Sequence, residues 1–289
     1  VGRGAARVPA ARQSAVRPAA GRARGHVVRH RGSNHAARSQ AVGHQRAPHH
    51  RSDVQGIGAL PARRRAHRIE RSAEHQGHAL MSAPLVAVLD YGIGNLRSAQ
   101  KALQKVGADA RLTADHGLVR DAHAVVLPGV GNFGACMNAV RSSDLEAIVH
   151  ERIAGPLPFL GICVGMQMLF DGSDESPDVA GLGVIKGQVR YLPDTVKRPQ
   201  MQWNKLRLRG TDPMFADMPA EPWMYFVHSL HGVPDDASCV VATAEYGCDV
   251  TAAVRRGNLF AVQFHPEKSA VDGLSLLRNF VEAARLVAA

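Results

Sequence analysis

The sequence predicts an α/β domain on a largely parallel sheet, with its functional site at the carboxyl ends of the strands. Three observations carry that reading. From residue 85 onward, short apolar runs alternate with segments of helical periodicity. Glycine-rich loops follow directly on two of those runs, at Asp90-Tyr-Gly-Ile-Gly-Asn95 and Pro128-Gly-Val-Gly-Asn-Phe-Gly134. Hydrophobic residues make up 45% of the 289 and charged residues 21%, enough apolar material for one large or two ordinary cores.

Leu85-Val-Ala-Val-Leu89 is the first strand, an unbroken apolar run of the kind buried on both faces. Beyond the first loop, Leu96, Ala99, Leu103 and Val106 recur at helical spacing, and Gly107 stops the helix. Residues 124–127 form the next buried strand, and Asp144, Glu146 and Glu151 fall in a helix-like stretch after it. Residues 158–162 are a third strand, running through Cys163 into a helical segment at 166–170. Residues 184–192, 225–229, 239–244 and 259–264 read as strands with few helices between them, until a closing helix at 274–286.

The net charge of +10 suggests a nucleic-acid binder until the charge is located. Residues 1–80 hold 16 Arg, no Lys and only Asp53, Glu70 and Glu74, a net +13, whereas residues 81–289 carry a net −3. The first stretch also lacks Phe, Trp, Tyr, Cys and Met. It cannot bury the apolar area that would offset the entropy of ordering it, so disorder is expected there. Two parts result: a disordered Arg/His-rich extension at 1–80 and a folded domain at 81–289. The extension admits three readings: translation upstream of a native start at Met81, a solvated extension without a task, or an arm for nucleic acid or targeting. Arg63-Arg-Arg65 can neutralise phosphates, but no aromatic residue is interleaved to stack on bases. Only non-specific adhesion to nucleic acid is expected of it.

No apolar run approaches the roughly 18–20 residues of a membrane-spanning helix, so no membrane is expected as a partner. Four cysteines without a CxxC pair give no common zinc or thioredoxin-type signature. Neither a metal nor a cofactor is expected, and a reduced, cytoplasmic setting is.

Gly129-Val-Gly-Asn-Phe-Gly134 spells GxGxxG between a strand and a helix. A dinucleotide fingerprint also requires an acidic residue at the end of the next strand, about 20 residues on. Asp144, Glu146 and Glu151 come too early and in a helical stretch. A glycine-rich turn exposing backbone N–H groups explains the same residues without a nucleotide.

Gly161-Ile-Cys-Val-Gly165 is G-x-nucleophile-x-G between an apolar strand and a helix, the nucleophile-elbow arrangement. The elbow would place Cys163 at a helix N-terminus, where the dipole and free N–H groups favour thiolate. Cys136 in a helix, Cys239 in a strand and Cys248 in a turn read as small buried hydrophobes or bystanders. A thiolate that is acylated and later leaves needs a proton carrier. His265, in Phe264-His-Pro-Glu-Lys268, supplies one. Pro266 would keep the local backbone extended, so that His265 and Glu267 project to one side and Glu267 orients the ring. A His-x-Glu zinc deaminase would require a downstream Pro-Cys-x-x-Cys, which is absent from the sequence.

Gly161-Ile-Cys-Val-Gly-Met-Gln167 together with Phe264-His-Pro-Glu-Lys-Ser269 resembles the class I (triad) glutamine amidotransferases. Within that class, Asp90-Tyr-Gly-Ile-Gly-Asn-Leu-Arg97, Pro128-Gly-Val-Gly131, Gly-Met-Gln167 and Tyr225-Phe-Val-His-Ser229 are similar to the histidine-pathway glutaminase subunits of imidazole glycerol phosphate synthases. The resemblance spans about residues 85–286. It implies a three-layer, flavodoxin-like fold with a mixed, mostly parallel central sheet. It implies that Cys163 attacks the side-chain amide of L-glutamine, His265 moves the proton and Glu267 orients the imidazole. Backbone N–H groups of Val130, Gly131 and Val164 would hold the oxyanion, and Gln167, Glu175 and Ser229 the glutamine. Trp203, Asn204, Tyr225 and Lys268 would face a (β/α)8-barrel cyclase subunit that receives the ammonia.

Three positions depart from the family pattern. Pro199-Gln-Met-Gln-Trp-Asn204 stands where the family typically reads Pro-His-Met-Gly-Trp-Asn, and Leu230 where Tyr is frequent. Gln202 adopts positive φ less readily than Gly, so altered loop geometry is expected there. Other triad amidotransferases, such as the pyridoxal-phosphate or anthranilate type, match the opening motif and Met166-Gln167 less well. A non-catalytic binding module would lack the Cys, His or Glu, and a nucleic-acid binder would rest on the extension alone.

Overall fold

The computed structural model describes residues 83–94 and 96–288. The 1–80 extension, with its expected disorder and polyanion adhesion, lies outside the described residues, as do the expected boundary at Met81 and Asn95 of the first loop.

The first half is a run of strand–helix units. It comprises β1 (Leu85–Leu89), α1 (Leu96–Lys105), β2 (Asp109–Thr113), α2 (His116–Asp121), β3 (Ala124–Gly129), α3 (Phe133–Ser142), α4 (Glu146–Ala154), β4 (Phe159–Cys163) and α5 (Val164–Gln167). Strands dominate the second half: β5 (Gly172–Ser173), β6 (Gly187–Tyr191), β7 (Gln200–Lys205), β8 (Arg207–Leu208), β9 (Trp223–His228), β10 (Leu230–Pro234), β11 (Val240–Glu245), β12 (Asp249–Arg256) and β13 (Leu259–Val262). The closing helix α6 is Ala270–Ala288.

Eight strands form the central sheet in the order β2-β1-β3-β4-β13-β12-β11-β8. The first five are mutually parallel, and β12, β11 and β8 extend the sheet antiparallel. Strands β3, β4 and β13 are buried at every position, as a sheet covered on both faces demands. Strand order reverses at β1, and right-handed crossovers then put α1 on one face and α2 to α4 on the other. Contacts of α1 with α6, and of α2 with α4, agree with this. The fold is the expected three-layer α/β class, and its 2-1-3-4 order opens a crevice at the carboxyl ends of the strands. No helix among the described residues is long and apolar enough to cross a membrane.

Several expected elements differ in extent. The helix expected at 166–170 is a single turn that ends at Gln167. Carbonyls of Met168, Leu169 and Phe170 accept instead from Leu182, Ile185 and Gly183, which draws the chain away from a helical path. Strand β6 begins only at Gly187, and the strand expected at 239–244 begins at Val240, because Cys239 closes a 3-10 turn.

Candidate active site

Three neighbouring strands deliver the site. In register, Gly129 at the end of β3 lies beside Cys163 at the end of β4, and Val262 at the end of β13 lies beside Ile162. Cys163 turns the chain from β4 into α5 with φ 55° and ψ −113°, a left-handed conformation that costs a side-chain-bearing residue of order 1–3 kcal/mol. The elbow persists because its surroundings permit no other path. A Cβ on Gly165 would come within 1.9 Å of the Leu127 carbonyl oxygen, so this residue must be Gly for α5 to pack on β3. Since α5 is one turn long, it offers Cys163 free N–H groups but little of the macrodipole that the sequence suggested. The thiol is also more enclosed than its place on an elbow implies, at 4% exposure.

His265 follows β13, and its ring is 2% exposed. The expectation that Pro266 keeps the chain extended is incorrect: Pro266–Lys268 is a 3-10 turn, with the Lys268 N–H donating to the His265 carbonyl. That turn brings Glu267 Oε1 to 2.8 Å from His265 Nδ1. Burial pulls the imidazole toward the neutral form, but its interactions with Cys163 and Glu267 outweigh that and raise its pKa to about 10. This environment favours the imidazolium form of His265.

Cys163 and His265 open onto a cleft of about 400 Å³. Val130, Gly131 and Val164, the residues expected to hold an oxyanion, line it. So do Gln167, Glu175 and Ser229, expected to hold substrate, and Lys268, expected at an interface. Glu267 stands behind His265, outside this cleft, beside a smaller cavity. Gly131 has φ 91°, so the turn after β3 needs its glycine.

The GxGxxG stretch builds the cleft wall, and α3 begins within it. The N-terminus of α3 is already occupied: Asn132 caps Ala135 N–H, and Glu175 Oε2 accepts from Phe133 N–H at 2.7 Å. A protein carboxylate fills the place where a dinucleotide fingerprint would seat phosphate.

Strands β7 and β9 pair antiparallel, with Trp203 opposite Tyr225 and their rings in edge contact at 6.0 Å between centroids. Trp203, Met201 and Trp223 are exposed. Asn204 faces the other side of β7 and donates to the Glu245 carbonyl at 2.8 Å. The backbone at Gln202 does not require the positive φ that a glycine would supply. Gln202 sits in β7 opposite Phe226, and no positive φ arises there, so the pairing tolerates a side chain.

Some polar residues near the site carried no readable signal. Gln263 is completely buried and donates through Nε2 to Cys163 Sγ at 3.8 Å. It lies just past the end of β13, two residues before His265. The Cys136 thiol, read above as a small hydrophobe, is fully buried and donates to the Val130 carbonyl at 3.3 Å. The Tyr91 hydroxyl donates to the neighbouring Pro128 carbonyl, so both groups pin the 128–131 loop. Gln200, fully buried, meets His228 Nε2 at 2.8 Å, and His228 Nδ1 meets the Leu230 carbonyl at 2.7 Å. Burial lowers the His228 pKa to about 4, so the ring is neutral with its proton on Nδ1. Nε2 then needs a donor; Gln200 turns its Oε1 to it and leaves its amide nitrogen without a partner, and exchanging the two amide atoms would supply the donor.

Comparison with known proteins gives a consistent picture. The model of the family "Glutamine amidotransferase class-I" matches residues 87–284. The chain is 44% identical to the imidazole glycerol phosphate synthase subunit HisH of Salinibacter ruber over 203 residues, 68% of this chain and 93% of that one. It is 46% identical to the subunit HisH of Thermosynechococcus vestitus over 205 residues, 70% of this chain and 98% of that one. Among solved structures, a glutamine amidotransferase aligns with TM-score 0.56 at 24% identity, covering 69% of this chain and 98% of that one. PurLQS from Thermotoga maritima aligns with TM-score 0.57 at 21% identity over the same shares of the two chains. These two structures speak to the fold.

Proposed function

Because the chain belongs to the class I glutamine amidotransferase family, we propose that it is the glutaminase subunit of an imidazole glycerol phosphate synthase. It hydrolyses L-glutamine to glutamate and passes the ammonia to a (β/α)8-barrel cyclase subunit. The cyclase uses the ammonia to convert a phosphoribulosyl carboxamide ribonucleotide into imidazole glycerol phosphate and an aminoimidazole carboxamide ribonucleotide. The observation that carries this reading is Cys163, on a strained elbow, sharing one cleft with a His265 whose Nδ1 is bound by Glu267.

The Cys163 thiolate attacks the side-chain carbonyl carbon of glutamine, and the carbonyl electrons move onto oxygen. The Val164 N–H, joined in the activated complex by N–H groups of Val130 and Gly131, stabilises that oxyanion. Collapse of the intermediate breaks the C–N bond while the His265 imidazolium gives its proton to the departing nitrogen. Ammonia leaves and a γ-glutamyl thioester remains. Neutral His265 next takes a proton from water, whose hydroxide attacks the thioester and restores thiolate, imidazolium and glutamate. Glu267 keeps the proton on the correct ring nitrogen throughout.

Glu175 already spends Oε2 on the α3 N-terminus, which leaves Oε1 for the α-ammonium group of glutamine. Trp203, Tyr225 and Lys268 form the face presented to the cyclase. Binding there, with nucleotide in the barrel, switches glutamine hydrolysis on by completing the oxyanion hole at the 128–131 loop. The test is glutamate release by the chain alone, with the cyclase, and with the cyclase bearing its nucleotide. A large increase only in the last condition supports the reading, and equal rates in all three reject it.

A further inference from the structure

The strongest unexplained feature is a buried run of amides that ends on the nucleophile. Gln167 Nε2 donates both to the Leu230 carbonyl, at 3.1 Å, and to Gln263 Oε1, at 3.0 Å. Gln263 Nε2 faces Cys163 Sγ at 3.8 Å. Gln167 is 4% exposed and Gln263 has no exposure, so each amide must find its partners inside the protein.

The direction of this run follows from one atom. A backbone carbonyl can only accept, so the group that Gln167 turns to Leu230 O must be its nitrogen. The same nitrogen reaches Gln263, so Gln263 must present its oxygen there. Its nitrogen is left for Cys163, and a hydrogen-bond donor is what a thiolate requires. The second lone pair of Leu230 O is occupied by the neutral His228 ring, which blocks a reversed arrangement from that side.

We propose that Gln263 is a positioning residue for the nucleophile, with its side-chain N–H holding the Cys163 thiolate in the cleft and favouring the ionised form. Through Gln167 it also couples that placement to the substrate pocket, since Gln167 lines the cleft with Cys163. His265 also interacts electrostatically with the same sulfur. The thiolate is then held between a cation and a neutral donor, and the donor does not change charge during the reaction. This proposal rests on Cys163 being the nucleophile. The experiment below reads the thiol directly, so its outcome is separable from any failure of the glutaminase reading.

The test is the pH dependence of Cys163 alkylation by iodoacetamide in the full chain, followed by mass spectrometry, for wild type and Gln263→Met. Met keeps the length and volume of Gln and removes the donor. The midpoint of alkylation should rise by about one pH unit, as expected for loss of a single hydrogen bond to a charged group. With the cyclase and its nucleotide bound, kcat for glutamate release should fall about tenfold. KM should rise as well, because Gln167 loses its partner. A second measurement needs no variant at Gln263: in 15N-glutamine-labelled protein, the Gln263 side-chain amide resonance should titrate with Cys163 and stop titrating in Cys163→Ala. An unchanged alkylation midpoint in folded Gln263→Met, or a Gln263 amide resonance indifferent to Cys163 ionisation, would overturn the proposal.

Discussion

Glu267 reaches the ring of His265 at 2.8 Å across one 3-10 turn, two residues away in sequence, with both side chains almost wholly enclosed. The contact is made by the turn and not by an extended strand. A carboxylate placed this close, out of water, favours the imidazolium that must protonate departing ammonia.

Replacing that carboxylate has a directional consequence. His265 is protonated below its raised pKa of about 10 and loses its proton as pH rises through it. Glutamine hydrolysis should therefore persist to about pH 9 and decline above. In Glu267→Gln one cause of the raised value disappears, so the alkaline limb should move to lower pH. The rate should also fall on the order of 10²–10⁴-fold. Rate profiles across pH with the cyclase present check both.

The elbow makes a steric prediction. Gly165→Ala puts a methyl group into the Leu127 carbonyl, a contact of 1.9 Å that cannot be relieved by a side-chain rotation. The α5 turn must shift, carrying Cys163 and the Val164 N–H with it. Activity should fall at least 100-fold, with destabilisation of about 1–3 kcal/mol measured by urea unfolding.

His228 predicts acid sensitivity. Its pKa is lowered from 6.5 to about 4 in the fold, so the unfolded chain takes up a proton first as pH falls. Stability that His228 supports near neutrality is lost progressively between about pH 6.5 and 4. The lowered pKa of His231 acts in the same direction. Thermal midpoints of wild type should drop over this range, and His228→Gln, though less stable at pH 7, should show a shallower drop.

The division at Met81 is tested by truncation. A chain of residues 81–289 should retain a thermal midpoint within a few degrees of the full chain and the same cyclase-dependent rate. Adhesion to polyanions at low salt should be lost with residues 1–80, since sixteen arginines provide it. A much lower midpoint, or a large loss of rate, would count against that division.

Much of this was legible because apolar continuity announces parallel strands. β1, β3, β4 and β13 are four such runs, and Cys163 and His265 sit just at or beyond the ends of two of them. β2, with Asp109 and Arg111, and β12, with Asp249 and two terminal arginines, carry polar residues that dilute the pattern. The 200–205 segment reads as a polar loop, yet it becomes β7 through backbone pairing with β9, which local pattern does not encode. Gln263 stayed hidden because a polar residue near a strand end is ordinary in sequence. Only the fold brings Gln167, 96 residues earlier, within hydrogen-bonding distance of it.

The central claim is that Cys163 is the nucleophile that glutamine acylates. It is tested most directly by treating the chain, with cyclase and nucleotide, with a chloroketone analogue of glutamine and locating the adduct by peptide mass spectrometry. The account predicts one adduct, on the peptide containing Cys163, in step with loss of glutamate release, and neither labelling nor activity in Cys163→Ala. An adduct on Cys136, Cys239 or Cys248 with Cys163 unmodified, or near-wild-type glutamate release from Cys163→Ala, would contradict it.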